Sequence, residues 1–371
     1  MAFLYIVARR RYWVSASMKV TEIDYKTFDC MGNPFQSSYW AVVKKPAGWK
    51  PQAFRIELTA DGGPWVGNLL VLTRAFSPGM SLAYVPFGPA VFSIPVPVGE
   101  FLRDVSKELK KMLPHGVFAI RYDLPWDEPE EPNTLKIEGR RFRACQESVQ
   151  PEGTVRLALS EGYEKVARQY RERARRNIRK AANHIKVEVW NGGRADFDAW
   201  YNVYLETARR DGFTARPGSY LRRLLAFSGK VAGDVRCDLY LAKYKGKIVG
   251  GCINLESKDT AVYLFGASLR LDDCSCSYAL QDYAIHMACE HGCQVYDLHG
   301  IPGPNGRGAH LRGLDLFKRS FGGHAFYRTP STDYVYRRFT WKLFTCGEKM
   351  RYRMHRHPMS PFLQSSASSE S

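Results

Sequence analysis

The sequence predicts an α/β (α+β) chain of two tandem units, each with a mixed, mainly antiparallel sheet and flanking helices. Three observations carry this expectation. The 371 residues suffice for two domains of ordinary size, and 45% hydrophobic content with 13% aromatics gives each a core. Short alternating stretches bounded by turn residues recur along both halves. The order strand, hairpin strand, strand, helix, strand occurs twice.

In the first half, AFRIEL (53–58) and WVGNLLVLT (65–73) alternate as paired strands, and SLAYVPFGPAV (81–91) is a third. A helix follows over roughly 98 to 113, then the strand HGVFAIRYDL (115–124). In the second half, CDLYLAKY (237–244) turns at Lys245-Gly246-Lys247 into IVGGCINLE (248–256), a hairpin, and AVYLFGAS (261–268) is the third strand. Tyr278, Asp282, Ile285 and Cys289 have helical spacing over 276–291, and QVYDLHG (294–300) is the last strand. His-Gly, an apolar strand and Tyr-Asp-Leu close both halves, at 115–124 and 291–300. The boundaries expected are 1–17 as an extension, 18–160 as the first unit completed by 331–358, 161–330 as the second, and 359–371 as a polar, disordered tail.

Between the halves, residues 162–190 read as one helix with an apolar stripe of Tyr163, Ala167, Tyr170, Ala174, Ile178, Ala181 and Ile185. Its other faces carry Lys165, Arg168, Arg171, Arg173, Arg175, Arg176, Arg179 and Lys180, against Glu164 and Glu172 as the only acids up to Lys180. A solvated face is the bland account; so few carboxylates leave the stripe largely unpaired, which suits a polyanion better. The net charge of +17 points the same way, toward RNA, DNA, anionic lipid or phosphorylated substrates.

No run of about 18 apolar residues exists, so no transmembrane helix is expected. In MAFLYIVARRR the charge follows the apolar stretch, the reverse of a signal peptide; Met18 is a more natural start, and residues 1–17 read as an upstream extension or a weak membrane-surface tag. The nine cysteines lack zinc-knuckle spacing (Cys274 and Cys276, Cys289 and Cys293), so reduced thiols in a cytoplasmic protein and no metal are expected.

Several segments, in order, resemble the FemABX peptidoglycan-bridge transferases: NPFQSSYWAVVKK (33–45), YVPFGPAV, RARRNIRKAANHIKV, RRDGFTARPGSY, and YDLHGI followed by GLDLFKRSFGG. They run from about residue 33 to 323. The resemblance implies two GNAT-like acyltransferase domains, acceptor side first and donor side second. It implies an enzyme that moves an amino acid from aminoacyl-tRNA to an amine on the stem of a peptidoglycan precursor, UDP-linked muramyl pentapeptide or lipid II. The partners implied are those two substrates, with no other cofactor, for a monomer that is cytoplasmic or peripheral at the inner membrane face. Residues 191–236 are too short for the coiled-coil arm of late-acting members, so the likeness is to FemX-like ones. Phe87 stands where the family commonly has a basic residue, which puts that contact in doubt.

Aminolysis of an ester needs an aimed neutral amine, a stabilised oxyanion and a proton for the leaving ribose oxygen. Positioning can supply about 7–11 kcal/mol and one oxyanion donor about 3–4 kcal/mol. Lys318 is a fixed charge for the tRNA 3′ phosphate or the oxyanion, and Phe317 a platform for a terminal base; the Gly/Pro loop at 302–308 can open for a large donor. Spacing alone leaves Phe317 equally readable as core and Lys318 as a solvated helix residue; the resemblance points to the pair as a donor-side element. It likewise implies Lys44, Arg216 and Tyr220 as ligands of the acceptor's pyrophosphate and Trp40 as a substrate contact, with Lys45 beside Lys44 leaving the position ambiguous by one. Tyr263 is a candidate ligand-facing aromatic or a core residue. Asp123 is a candidate proton acceptor, ammonium ligand or turn cap, and Asp297 a structural counterpart. Arg175, Arg176, Arg179 and Lys180 are the expected tRNA contacts. His286, His291, His299 and His310 lie beside no nucleophile and read as structural or RNA-contacting. Two rivals stand. An acyl-CoA-dependent N-acyltransferase would need a Gly-rich pyrophosphate loop where this chain has GASLRLDDCSCSYALQ, with Asp272 and Asp273; a non-catalytic RNA-binding protein would leave the paired α/β units unexplained.

Overall fold

The computed structural model describes residues 17–355 apart from 29–31, 61–62, 91–93, 126–136, 138, 147, 232–234, 272–273, 305–307 and 309–310. Residues 1–16 of the expected extension, the tail at 359–371, Asp272, Asp273, His310 and part of the 302–308 loop therefore lie outside the described residues.

The first sheet opens with strand β1 (Ser17–Ile23), followed by helix α1 (Ser38–Lys44), strands β2 (Lys50–Ala60), β3 (Gly63–Ser77) and β4 (Met80–Val85), helix α2 (Val98–Met112) and strand β5 (Val117–Tyr122). Strand β6 (Phe142–Ala144) precedes β7 (Gly153–Ala158). The middle holds α3 (Tyr163–Arg168), α4 (Glu172–Ala182), β8 (Ile185–Val189), α5 (Arg194–Asp211) and α6 (Gly218–Ala226). The second half continues with β9 (Arg236–Tyr244), β10 (Lys247–Glu256), β11 (Thr260–Ser268), α7 (Cys276–Glu290), β12 (Val295–Asp297), α8 (Arg312–Arg319) and β13 (His324–Tyr327). Strand β14 (Thr332–Val335) and helix α9 (Arg338–His355) close it.

The strands form two seven-stranded mixed sheets, in the orders β1-β2-β3-β4-β5-β14-β6 and β8-β9-β10-β11-β12-β7-β13. The repeat is exact in topology. In each sheet the one parallel pair, β4 with β5 and β11 with β12, is joined by a crossover helix, α2 and α7, as parallel neighbours require. In each sheet the sixth strand comes from outside the consecutive run. β14, made after the whole second unit, lies between β5 and β6; β7, made before it, lies between β12 and β13. The boundary expected at residue 160 thus moves upstream, because β7 pairs only in the second sheet.

The helix read over 162–190 is three elements. The apolar stripe continues in phase, but the chain is extended at Arg171, whose N–H donates to Ser320 O at 2.8 Å. Tyr170 turns inward onto Phe321, centroids 5.3 Å apart, and residues 185–189 pair with β9 as a strand. The Gly322-Gly323 pair explains itself here. Both have positive φ, +81° and +73°, and a Cβ would fall 2.8 Å from Gln169 O and 2.4 Å from Arg156 O. Only glycine lets the chain pass between the α3–α4 break and β7.

Three cores result. One lies between the first sheet and α2 (Phe54, Leu69, Phe101, Leu109), and one between the second sheet and α7 with α3 and α4 (Tyr170, Ala284, Tyr296, Phe321). The third is shared by both units and joins Tyr39, Trp40 and Phe118 to Trp200, Leu224 and Ile253. Tyr39 Oη seals it by donating to Leu224 O at 2.6 Å.

Candidate functional site

The residues expected on the acceptor side converge through α1. Ser37 caps that helix by accepting from Trp40 N–H at 3.1 Å. Gln36, just before it, bonds Pro86 O at 2.7 Å and Leu70 N–H at 2.8 Å, tying the helix start to β3 and to the turn after β4. At the other end of α1, Lys44 Nζ lies 4.3 Å from the Trp40 ring centroid and 4.8 Å from that of Tyr220, and donates to Tyr220 Oη at 2.8 Å. Trp40, Lys44 and Tyr220 are all buried, and Arg216 is half-buried. Burial, then the charges of Arg216 and Arg74, pull Lys44 well below the usual lysine range; no carboxylate is among these causes. Arg74 on β3, its guanidinium 5.5 Å from the Trp49 centroid, is itself lowered by burial, as is Arg216. Lys44 thus lies within reach of two guanidinium charges, and an anion at this point would favour its charged form. Sequence reading missed Arg74; a lone charge inside the apolar run LLVLTRAF was the available signal. Lys45 is exposed and reaches Tyr25 Oη at 3.2 Å, so of the two lysines it is Lys44 that packs with Trp40 and Tyr220.

Lys318 and Phe317, the residues expected on the donor side, sit on α8. Lys318 is 3% exposed, where spacing alone allowed a solvated residue. Its ammonium donates to the carbonyls of His299 and Gly300, the latter at 2.7 Å, and lies 5.8 Å from the Tyr263 centroid. Both carbonyls are aimed by left-handed residues, His299 at φ +45° and Gly300 at φ +77°. Burial brings Lys318 down to about 7, against Asp297 and Asp315, which pull it up. Two acceptors occupy two of its three N–H groups. Phe317 is half-buried, edge-on to Tyr278 at 5.0 Å and to Phe321 at 5.3 Å. These two contacts anchor α8 on the second core. Tyr263 is half-buried, and burial raises its phenol.

Asp123 is not placed as a proton acceptor. It is fully buried and accepts from Tyr84 Oη at 2.6 Å, Arg328 Nη1 at 3.1 Å and Ser331 Oγ. Arg328 in turn holds Pro151 O at 2.7 Å and Gln150 O. The carboxylate is a clamp where the chain passes between the two sheets, and its donors leave an incoming ammonium little to bind. Asp297, as expected, is structural: it accepts from Thr154 Oγ1 at 2.5 Å and His299 N–H at 2.8 Å.

The two sides meet at His299. Its ring lies 6.1 Å from Phe35 and 6.0 Å from Phe87, so the loop that holds Lys318 packs on the segment leading into α1. Arg328 sits 5.6 Å from the Phe87 centroid, putting a guanidinium beside the position where the first unit lacks one.

Arg175, Arg176, Arg179 and Lys180 are all exposed on α4. Glu172 meets Arg175 at 3.4 Å and Arg179 at 3.2 Å, so the stripe is less bare than its spacing suggested. Such exposed pairs are weak, and α4 still carries five cations against one carboxylate. Arg173 Nε donates to Tyr278 Oη at 2.9 Å, and Tyr278 packs on Phe317, so α4 borders α8 through one tyrosine.

Among the described residues, Asp238, Glu256 and His291 have ligand atoms within 4.8 Å of one another, as a metal would need. Arg236 already lies 3.2 Å from Asp238, and His291 2.7 Å from Glu256, so the charges are met from within the chain and no metal is assigned. Burial raises the thiols of Cys276 to about 11 and Cys293 to about 12, which makes them poor nucleophiles.

Residues 168–319 match a family profile described as an acetyltransferase (GNAT) domain. No curated protein matches by sequence. Among solved structures, FemX superposes with a TM-score of 0.68 at 19% identity, covering 88% of this chain and 100% of its own. A tandem GNAT protein from the clavulanic acid biosynthesis pathway has a TM-score of 0.48 at 12% identity, covering 86% and 97%. The C-terminal domain of a putative lysylphosphatidylglycerol synthetase from Agrobacterium fabrum also has 0.48 at 12%, covering 75% and 84%. The last two are too distant to carry an argument; the first shows the fold.

Proposed function

We propose that this chain, which has the fold of FemX and matches an acetyltransferase (GNAT) profile over residues 168–319, transfers an aminoacyl group from tRNA to the peptide stem of a peptidoglycan precursor. The observation that supports this most is the buried contact of Lys44 with the Trp40 and Tyr220 rings, with the charges of Arg216 and Arg74 near enough to act on the same ammonium. A pyrophosphate there would favour the charged form of Lys44, which burial and the two guanidinium groups disfavour. Arg216 suits a forked contact and Lys44 a point charge.

The donor would lie against α4 and α8, with its phosphates on Arg175, Arg176, Arg179 and Lys180. The acceptor amine attacks the ester carbonyl, the C–N bond forms and the C–O bond to ribose breaks. The proton lost by the amine ends on the ribose oxygen. Lys318 supplies the positive charge facing the tetrahedral oxyanion, held in place by the His299 and Gly300 carbonyls. No covalent enzyme intermediate is needed, because the ester is already activated.

The test is to mix the protein with charged total tRNA and either UDP-linked muramyl pentapeptide or lipid II, and to weigh the products. One added aminoacyl residue supports the reading, and untouched substrates with every charged tRNA overturn it. The matched acetyltransferase profile favours a second reading, acyl-CoA-dependent N-acylation, and acetyl-CoA offered with the same acceptors distinguishes the two by the mass added. Binding of tRNA with neither product leaves a non-catalytic RNA-binding protein.

A further inference from the structure

Helix α9 has two faces of opposite use. Trp341, Phe344 and Glu348 point into the first unit: Trp341 Nε1 donates to Asp333 at 2.8 Å, Phe344 lies 5.1 Å from Phe118, and Glu348 accepts from Arg121 at 2.8 Å. The other face presents Phe339 at 82% exposure, Leu343 at 60% and Met350 at 60%, with Cys346 exposed between them. These positions are i, i+4, i+7 and i+11, one continuous stripe. Arg337, Arg338, Lys342 and Lys349 are exposed beside it. Glu348 is the only acid between residues 337 and 350, and it is turned inward. An apolar stripe lined by cations, with no acid facing out, is an unusual surface for a helix whose other face is already packed.

We propose that this face of α9 docks on a lipid bilayer containing anionic headgroups, with Phe339, Leu343 and Met350 among the acyl chains and the flanking cations at the headgroups. Charge decides against a second copy of this chain, because a two-fold pairing along the stripe would set four cations against four. Chemistry decides against RNA, because Leu343 and Met350 offer neither a flat face nor a donor to a base. The inference is independent of the transfer reaction, since none of these residues belongs to either substrate site.

The test is sedimentation of the full chain with vesicles of phosphatidylcholine alone and of phosphatidylcholine mixed with phosphatidylglycerol. Binding is expected to the mixed vesicles and to weaken with salt. Phe339→Ser with Leu343→Ser should lower partitioning on the order of tenfold or more, and Lys342→Glu with Lys349→Glu about tenfold on anionic vesicles. Both variants should keep the parent's thermal midpoint, because every altered side chain is exposed. The proposal is overturned if the full chain ignores anionic vesicles or if the Phe339/Leu343 variant binds them like the parent. It is equally overturned if that variant instead loses self-association, or tRNA binding, with vesicle binding unchanged.

Discussion

Lys318 is the residue where position and charge are most tightly joined. Its folded-state value of about 7 lies well below that of an unfolded lysine. The unfolded chain therefore binds this proton over a pH range in which the folded chain does not, and folding stability from this group rises as pH climbs from 7 toward 10. The full span is on the order of 4 kcal/mol. Lys318→Met should remove that rise, which urea titrations at pH 7 and pH 9.5 would show as a smaller gain than in the parent. In catalysis the sign reverses. The charged form is lost above about 7, so kcat/KM for the donor should fall along a limb near that pH, and Lys318→Arg should move the limb beyond the measured range. Asp123 predicts a different pattern. Asp123→Asn breaks a buried ion pair with Arg328 and should cost about 3 kcal/mol, with the pH limb where it was. A shifted limb would return Asp123 to proton transfer.

Among the elements, α4 and the Gly322-Gly323 turn carry the sharpest expectations. Arg176→Ala with Arg179→Ala should reduce the slope of log affinity for tRNA against log salt by about one for each phosphate contact removed. An unchanged slope places the tRNA elsewhere. Gly323→Ala forces a Cβ to within 2.4 Å of Arg156 O at φ +73° and should cost about 2 kcal/mol or more, read from the urea midpoint. The elements also show what was legible. Strands β2, β3, β9, β10 and β11 and helices α2 and α7 were readable because alternation and helical spacing are local properties. The break at Tyr170 was not, because the apolar stripe keeps its phase across it and the cause, Ser320 O, is 149 positions away along the chain. The clamp of Asp123 by Arg328 was hidden for the same reason. Lys318 and Lys44 were singled out through motifs, whereas Arg74 comes near Lys44 only through folding, and spacing says nothing of a residue whose neighbours come from other elements.

At the scale of the molecule, the two units are not separable. They share a core through Tyr39, Trp40, Trp200 and Leu224, and each sheet borrows a strand from beyond its own run. The full chain should unfold in one transition by calorimetry. A chain ending at Pro330 loses β14, leaves β6 without its partner strand and strands the buried guanidinium of Arg121 without Asp333 and Glu348. Its melt by circular dichroism should have a smaller amplitude than the parent's, because only the second sheet keeps all its strands; a melt of the parent's full amplitude would mean that the first unit closes by itself.

The borrowed strand also dictates an order of events on the ribosome. Residues of β1 to β6 emerge early, yet the slot between β5 and β6 stays vacant until Thr332–Val335 has been synthesised. The second sheet has every strand in hand once β13 is out, so the half made later can mature first, reversing the usual amino-terminal lead. Until the final stretch is threaded home, a nascent chain exposes an open edge along β5 that a holding chaperone, or another unfinished chain, could occupy.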